Sequence, residues 1–286
     1  MDTKRANGKT KYIIMICAAA LLALIAVCVT VIASGKSKSY NKALYLIESG
    51  NTKEAYIILR ELGNYKDSGQ KAADMVAADP ALPYQIVEKG DTVCFGRYEQ
   101  DNDESNGPEA IEWIVLDRID DEILLLSVKC LEYSVYNDTA FEPVTWEDSY
   151  IRSFLNGEFT DKAFYDEEKA LLQETENINY DHSFHETEGG NNTFDHVFLL
   201  SEKEAGIYIS EEADRNYIGR AQASDYVVAS GASVDDEGMA EWFLRSPGEY
   251  EYTAQFVERD GNIYSAGAYV DIAYAIRPAI WLNVSK

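Results

Sequence analysis

The residues best spaced for chemistry lie between positions 101 and 112. Asp101, Asp103, Ser105 and Glu112 take the first, third, fifth and twelfth places of a loop that follows the oxygen-ligand order of a helix-flanked calcium site. Calcium is thus the one cofactor the sequence offers, and the match is incomplete. Asn106 stands where such a loop needs a glycine, Gly107 arrives one residue late, and Glu112 belongs to a strand-like run instead of an exiting helix. A plain acidic hairpin loop is the better reading, with at most weak calcium binding.

Other ligand sets are weaker still. His182 and His185, with His196, Asp181 and Glu186, could hold a metal, but a His-x-x-His in a polar loop has no rigid frame and reads as solvated. Cys17 and Cys28 fall in an apolar N-terminal run, and Cys94 and Cys130 in separate strand-like stretches, without zinc or redox spacing. The latter two read as apolar thiols, with one disulfide between neighbouring strands left open. There is no Gly-rich phosphate loop, nucleophile elbow or Cys-His arrangement. With 50 acidic residues, paired carboxylates occur at nearly any spacing by chance, so no catalytic residue is assigned.

Two arginines and the tyrosines remain. Arg245 and Arg277 sit inside apolar strand-like runs, where a buried guanidinium needs a carboxylate or several carbonyls to offset its desolvation. Both read first as structural. Arg245 is also kept as a candidate ligand contact beside Tyr264 and Tyr269, whereas Arg277, Trp242 and Trp281 read as framework and core. Tyr outnumbers Phe by 20 to 10, and its amphipathic ring suits half-wet contact with sugars or protein partners. A net charge of −25 repels phosphate backbones, which excludes nucleic acid as a partner.

The elements that must position these residues follow from periodicity. Residues 12–33 are apolar and uncharged, and as a helix would reach about 33 Å, enough for a hydrocarbon core of about 30 Å. This predicts an uncleaved signal anchor within residues 1–35, a single-pass membrane protein, and a large C-terminal part outside the cytoplasm. Residues 36–80 carry apolar positions at three- and four-residue spacing, broken at Gly50-Asn51 and Gly63-Asn64, which predicts a short helical hairpin and a third helix. From 81 to 286 the pattern is α+β. Strands are expected at 90–98, 111–117 and 122–127 as an antiparallel meander. A capping box at Thr145 and Asp148 should open one helix and Ser201 with Glu204 another, with a surface loop over 176–195 between them. Asp260-Gly261 suits a two-residue type I′ turn, which would pair Glu258 with Ile263 and Val257 with Tyr264 and put Phe256 and Ile263 on the other face.

Several ordered motifs recur together: Phe95-Gly96-x-Tyr98-x-Gln100, Ile111-Glu112-Trp113, Trp146-Glu147-x-Ser149-x-x-Arg152-x-x-Leu155-Asn156, Trp242-x-Leu244-Arg245-Ser246-Pro247-Gly248 and Ile276-Arg277-Pro278-Ala279. Over about residues 84–284 they resemble an uncharacterised domain family of Gram-positive surface and secreted proteins. The C-terminal part is also similar to the C-type-lectin-like fold of formylglycine-generating enzymes, whose late reactive cysteines are missing here after Cys130. That departure excludes the oxidase chemistry, and fold likeness carries no function. The segment before residue 80 resembles one tetratricopeptide unit, where about three stacked copies are needed for a solenoid, so it reads as a spacer. The expectation is a membrane-anchored extracytoplasmic module binding a cell-surface glycan or protein. An envelope enzyme with unidentified acidic residues and a structural spacer are the alternatives.

Overall fold

Ala43, Leu46, Ala55, Leu59 and Leu62 are buried at helical spacing, and they belong to the first of two units in a computed structural model that describes residues 34–209 and 218–285. The units divide between Leu82 and Pro83. The first holds α1, running through 34–48, then α2 (Thr52–Leu62) and α3 (Ser68–Ala78). Lys42 reaches Glu54 at 2.6 Å, and the Tyr40 hydroxyl donates to Asp67, so α1 is tied to α2 and to the cap of α3.

One expectation is corrected at this point. No helix among the described residues is long and apolar enough to cross a membrane. The run 12–33, on which the signal anchor, the single-pass topology and the membrane localisation were based, lies outside the described residues. The helix that follows it carries Lys36, Lys38, Lys42 and Glu48 and buries only Tyr40, Ala43 and Leu46, the one-sided pattern of a helix packed against protein.

The second unit opens with an antiparallel meander of β1 (Thr92–Tyr98), β2 (Glu109–Ile119) and β3 (Glu122–Ser127), followed by β4 (Glu132–Ser134). A broken helix comes next, as α4 (Tyr150–Phe154), a π-helical turn over Leu155–Phe159, and α5 (Thr160–Ala163), with α6 (Asp166–Lys169) after it. β5 (Thr175–Asn177) pairs with β6 (Thr193–Asp195), and β7 (Val197–Phe198) leads to α7 (Glu202–Tyr208). β8 (Ala221–Gln222), α8 (Asp225–Ala229) and β9 (Met239–Ala240) precede β10 (Trp242–Pro247). The chain then forms β11 (Thr253–Val257), β12 (Ile263–Tyr269), β13 (Tyr274–Ile276) and β14 (Ala279–Asn283).

Two five-stranded sheets result. One has the order β1-β2-β3-β14-β7 and is antiparallel throughout; the other has the order β12-β11-β10-β13-β4, with β10 and β13 parallel. The chain changes sheet twice at one corner. Pro278 has no amide hydrogen for a ladder, so the strand breaks between β13 and β14 and resumes in the other sheet. Alongside, residues 128–131 carry the chain from β3 to β4, with Ser127 N donating to Pro278 O and Leu131 N to Ile276 O.

Both candidate arginines are buried frame residues. Arg277 donates to Ser127 O at 2.8 Å, Ile218 O at 2.6 Å and Val128 O at 3.4 Å, and lies 5.1 Å from the Trp242 ring centroid. It has no carboxylate partner among the described residues. Burial pulls its pKa down to about 10, which leaves it charged at neutral pH. Arg245 instead meets Glu204 with two nitrogens, one of them at 3.0 Å, and donates to Leu199 O at 2.8 Å and Asn179 Oδ1 at 3.2 Å. Glu204 also closes the capping box with Ser201 at the start of α7. Burial pushes the Glu204 carboxyl up, but Arg245 and the Ser201 hydrogen bonds outweigh it and hold the group below its ordinary range.

Other expectations shift. The helix after Trp146 is capped by Ser149, whose side chain accepts from Arg152 N, and not by Thr145. Stretch 176–195 is no plain surface loop, because it contains parts of β5 and β6 and buries Asn177, His182, Thr187, Thr193 and Asp195. Trp242 is fully buried, whereas Trp281 is half-buried on β14. The β11–β12 turn has three residues, with Gly261 N donating to Glu258 O, Glu258 N to Asn262 O, and Gly261 at φ 90°. This is a type I turn with a glycine bulge, favoured because Asp260 accepts from Asn262 N at 3.0 Å. The register therefore moves by one residue, pairing Val257 with Ile263 and Phe256 with Tyr264.

Two outcomes follow for stability. Arg277→Met strands three carbonyls at the sheet corner and is expected to cost about 3–5 kcal/mol by chemical denaturation, with Arg277→Lys recovering less than half. Because Glu204 is held below its ordinary value in the fold, its contribution is complete above the unfolded carboxyl value of about 4.3 and is lost as pH falls through the folded value. Glu204→Gln should then be destabilised at pH 7, and the gap to the unmodified chain should shrink as denaturation is measured below about pH 4.

Candidate functional site

The exposed edge of the second sheet carries the most distinctive surface of the molecule. Pairing of Thr253 with Tyr269 and of Phe256 with Tyr264 brings the start of β11 and the end of β12 together, and Tyr250 and Tyr252 project from the turn just before β11. The Tyr250 and Tyr252 rings stack at 5.5 Å with an interplanar angle of 5°, and Tyr252 and Tyr269 at 5.9 Å and 18°. Phe141 meets Tyr252 and Tyr269 edge-on at 5.5 and 5.4 Å. Such rings are usually buried, yet Phe141 is 66 % exposed, Tyr250 51 % and Tyr269 49 %. Phe141 also has φ 58°, a costly backbone conformation for a bulky residue, and its side chain contributes to this exposed cluster instead of the core.

Beside the stack runs a groove of about 360 Å³, lined among others by Glu249, Tyr250, Tyr264, Gly267, Tyr269 and Tyr274. Its floor depends on glycine. At Gly267, φ is +78° and a Cβ would fall 2.7 Å from Ala254 O; at Gly248 a Cβ would fall 2.5 Å from Ala266 O. A separate row runs inward from the exposed Tyr264 to Phe256 at 5.1 Å and on to Tyr274 at 4.8 Å, which anchors Tyr264 in the core. One wall is pinned by the 178–189 segment. The His182 Nε2 lies 2.9 Å from Ser265 O, its Nδ1 accepts from Phe184 N and His185 N, and the Thr187 hydroxyl donates to Glu249 O at 2.8 Å. With Nδ1 accepting, the ring carries its proton on Nε2 and donates to β12. The Glu249 carboxylate beside Tyr250 pushes that phenol above its ordinary range, so the phenol remains a neutral donor.

Of the sequence candidates, the groove gathers Tyr264 and Tyr269 and leaves out Arg245, which is buried against Glu204. The stack itself, Phe141, Tyr250 and Tyr252, escaped sequence reasoning. Its one legible signal was the Tyr-x-Tyr spacing directly before a strand, which sends both rings to one side.

The acidic loop is not assembled as a calcium motif. Asp103 accepts from Ser105 N and from its hydroxyl, Asp101 accepts from Asp103 N and Asn106 Nδ2, and Glu112 lies in β2 opposite Cys94. The carboxylates that do meet are Glu99, Asp101 and Glu109, with one oxygen of each within 4.8 Å of the others. Glu109 also accepts the Gln100 and Asp101 amides at 2.7 and 3.2 Å, so it closes the hairpin. Cys94 and Cys130 are free thiols, the first exposed and the second buried, where burial pushes its pKa up to about 12.

The comparisons assign the second unit no activity. A family model described as a domain of unknown function, DUF6273, matches residues 120–284, from the β2–β3 turn through β14. None of the curated proteins and none of the solved structures matches the chain, so the likeness to a C-type-lectin-like fold finds no counterpart there. β1 and β2 lie before the matched stretch, yet they extend the same sheet, β2 pairing with β3 from Trp113 to Ile119. With more than half of its length matched, the chain belongs to the DUF6273 family of domains of unknown function.

Proposed function

We propose that the chain is a binding module whose groove along β12 takes a neutral glycan. The observation that carries this reading is the cluster of exposed Phe141, Tyr250 and Tyr269 around half-buried Tyr252, set along a groove on a sheet edge. Sugar rings present apolar C–H faces and a rim of hydroxyls, and tyrosines answer both, the ring by contact and the phenol by hydrogen bonding. Glu249 supplies a further acceptor, and no cation lines the groove among the described residues, which disfavours an acidic polymer. The rings are held before any ligand arrives, because Tyr250, Tyr252 and Tyr269 stack in a row and Phe141 meets two of them edge-on, so little side-chain entropy is lost on binding.

Affinity electrophoresis of the full chain through gels containing neutral soluble polysaccharides should show retardation by at least one of them. Tyr250→Ala and Tyr269→Ala should each weaken it about tenfold, with the melting temperature changed by less than about 3 °C. Retardation unaffected by both substitutions would remove the groove from the binding site, and release of reducing ends during the run would turn the reading towards an enzyme.

A further inference from the structure

Segment 181–188 contains no helix or strand, and six of its eight residues are exposed. The two that are buried, His182 at 5 % exposure and Thr187 at 6 %, are the two whose side chains tie the segment to β12 and to Glu249. His182 N donates to Thr187 O at 2.9 Å and Gly189 N to Asp181 Oδ1 at 3.0 Å, which closes the segment on itself. A third tie runs from the Ser183 hydroxyl to Glu202 of α7 at 2.7 Å. The flank of the groove thus hangs on a few polar contacts, and one of them is made by a titratable ring.

A backbone amide can only donate and a backbone carbonyl can only accept. Nδ1 of His182 faces two amides, Phe184 N at 2.9 Å and His185 N at 3.1 Å, while Nε2 faces Ser265 O at 2.9 Å. The closed ring is therefore neutral, and a second proton could enter only at Nδ1, where it would point at two donors and leave both amides without their acceptor. The groups around the ring do not offset this conflict. The His185 ring, 4.6 Å away between centroids, takes up its own proton in the same pH range. The Asp181 carboxylate is turned to the Gly189 amide, and Glu202 is held by Ser183 and by Gln255 Nε2 at 3.3 Å. Glu186 and Glu188 are exposed, as is Lys203, which lies against the Tyr180 ring. β11 and β12 contain no charged side chain, and the Glu249 carboxylate sits beside Tyr250. Among the described residues no carboxylate bonds either ring nitrogen of His182.

We propose that His182 is an acid-sensitive latch: neutral, it holds segment 181–188 against β12, and protonation at Nδ1 releases the segment and opens the flank of the groove. The released ring can take a second proton and the closed ring cannot, so closure gains as pH rises and is lost as pH falls below about 6.5, the ordinary imidazole value. Release removes the donor to Ser265 O and, with Thr187, the donor to Glu249 O, so the groove loses the wall that holds Glu249 beside Tyr250. A ligand held there at neutral pH is let go in acid. That last consequence rests on the glycan reading, whereas the release itself does not.

The test uses the full chain and follows the histidine rings by proton–nitrogen correlation spectra and the backbone by amide hydrogen exchange, expressed as protection relative to the free-chain rate at each pH. At about pH 7.5 His182 should carry its proton on Nε2, and by about pH 5 the protection of the Phe184 and His185 amides should fall about tenfold while that of β3 and β14 holds. His182→Asn supplies an oxygen acceptor to the same two amides without a titrating ring, so its protection should not change over this range, whereas His185→Asn should leave the fall in place. Tautomer and exchange are read on the unmodified chain and decide the matter even if His182→Asn does not fold. A proton on Nδ1 at about pH 7.5, protection unchanged through ring protonation, or an equal fall in His182→Asn would each overturn the proposal. Retardation by a neutral polysaccharide should be lost in acid by the unmodified chain and kept by His182→Asn. No retardation at either pH, with the exchange result intact, would remove the glycan reading and leave the latch standing.

Discussion

The arrangement of the larger unit depends on how one guanidinium is kept charged with no carboxylate partner among the described residues. Arg277 is buried at the corner where both chain crossings between the two sheets run side by side, and its nitrogens end on carbonyls of the β3 exit and on Ile218. Those carbonyls are freed because the strands part there: Pro278 interrupts one strand and residues 128–131 leave the other. The same event that separates the sheets thus creates the acceptors that make a buried arginine tolerable. Substituting either partner alone leaves the other unsatisfied, which explains why an arginine followed by proline stands in an otherwise apolar run.

Asp195 plays the complementary part on the helical side. Its buried carboxylate accepts from Arg152 Nε at 2.6 Å, Trp146 Nε1 at 2.9 Å, Asn177 Nδ2 at 2.8 Å and Thr193 Oγ1 at 2.7 Å, and so joins α4 to β5 and β6. Asn156, in the π-helical turn, accepts from His196 and Val197 amides and donates to Val197 O, so a side chain acts as a neighbouring strand for the start of β7. Both oxygens of Asp195 are fully engaged, which marks it as a structural group and leaves the chemistry of the unit to its surface. Arg245 with Glu204 completes the set, tying β10 to α7 and to the carbonyls of residues 178 and 199.

What the sequence could tell follows from the range of each interaction. The meander β1 to β3 and the Ser201–Glu204 capping box rest on neighbours in the chain, and both were legible. The need of Arg245 and Arg277 for partners was also legible from desolvation alone, although the partners were not, since Glu204 lies 41 residues and Ser127 lies 150 residues away along the chain. The β11–β12 turn shows how little separates right from wrong: Asp260 favours an Asx turn over the two-residue alternative, and one extra loop residue exchanges the partner of Tyr264. Trp281 looked like core because of its apolar flanks, but in β14 it alternates with buried Ile280 and Leu282 and so points to the less covered side. Asp195 could not have been picked out among 50 acidic residues, and neither could the meeting of Glu99 and Glu109 with Asp101, because strand register and not loop spacing brings them together.

These constraints also determine where a ligand can be held rigidly. The groove along β12 inherits its stiffness from below: Phe256 belongs to a fully buried strand, Gly248 and Gly267 allow the two backbones to approach where any side chain would collide, and His182 fixes β12 from the flank. Its aromatic rings are therefore exposed without being loose, and exposure of apolar surface on a stiff frame has a standing cost in water that a ligand's apolar faces would relieve. The β1–β2 loop at the other sheet's edge is stabilised differently, by hairpin amides directed at Glu99 and Glu109, so these carboxylates stay close despite repulsion.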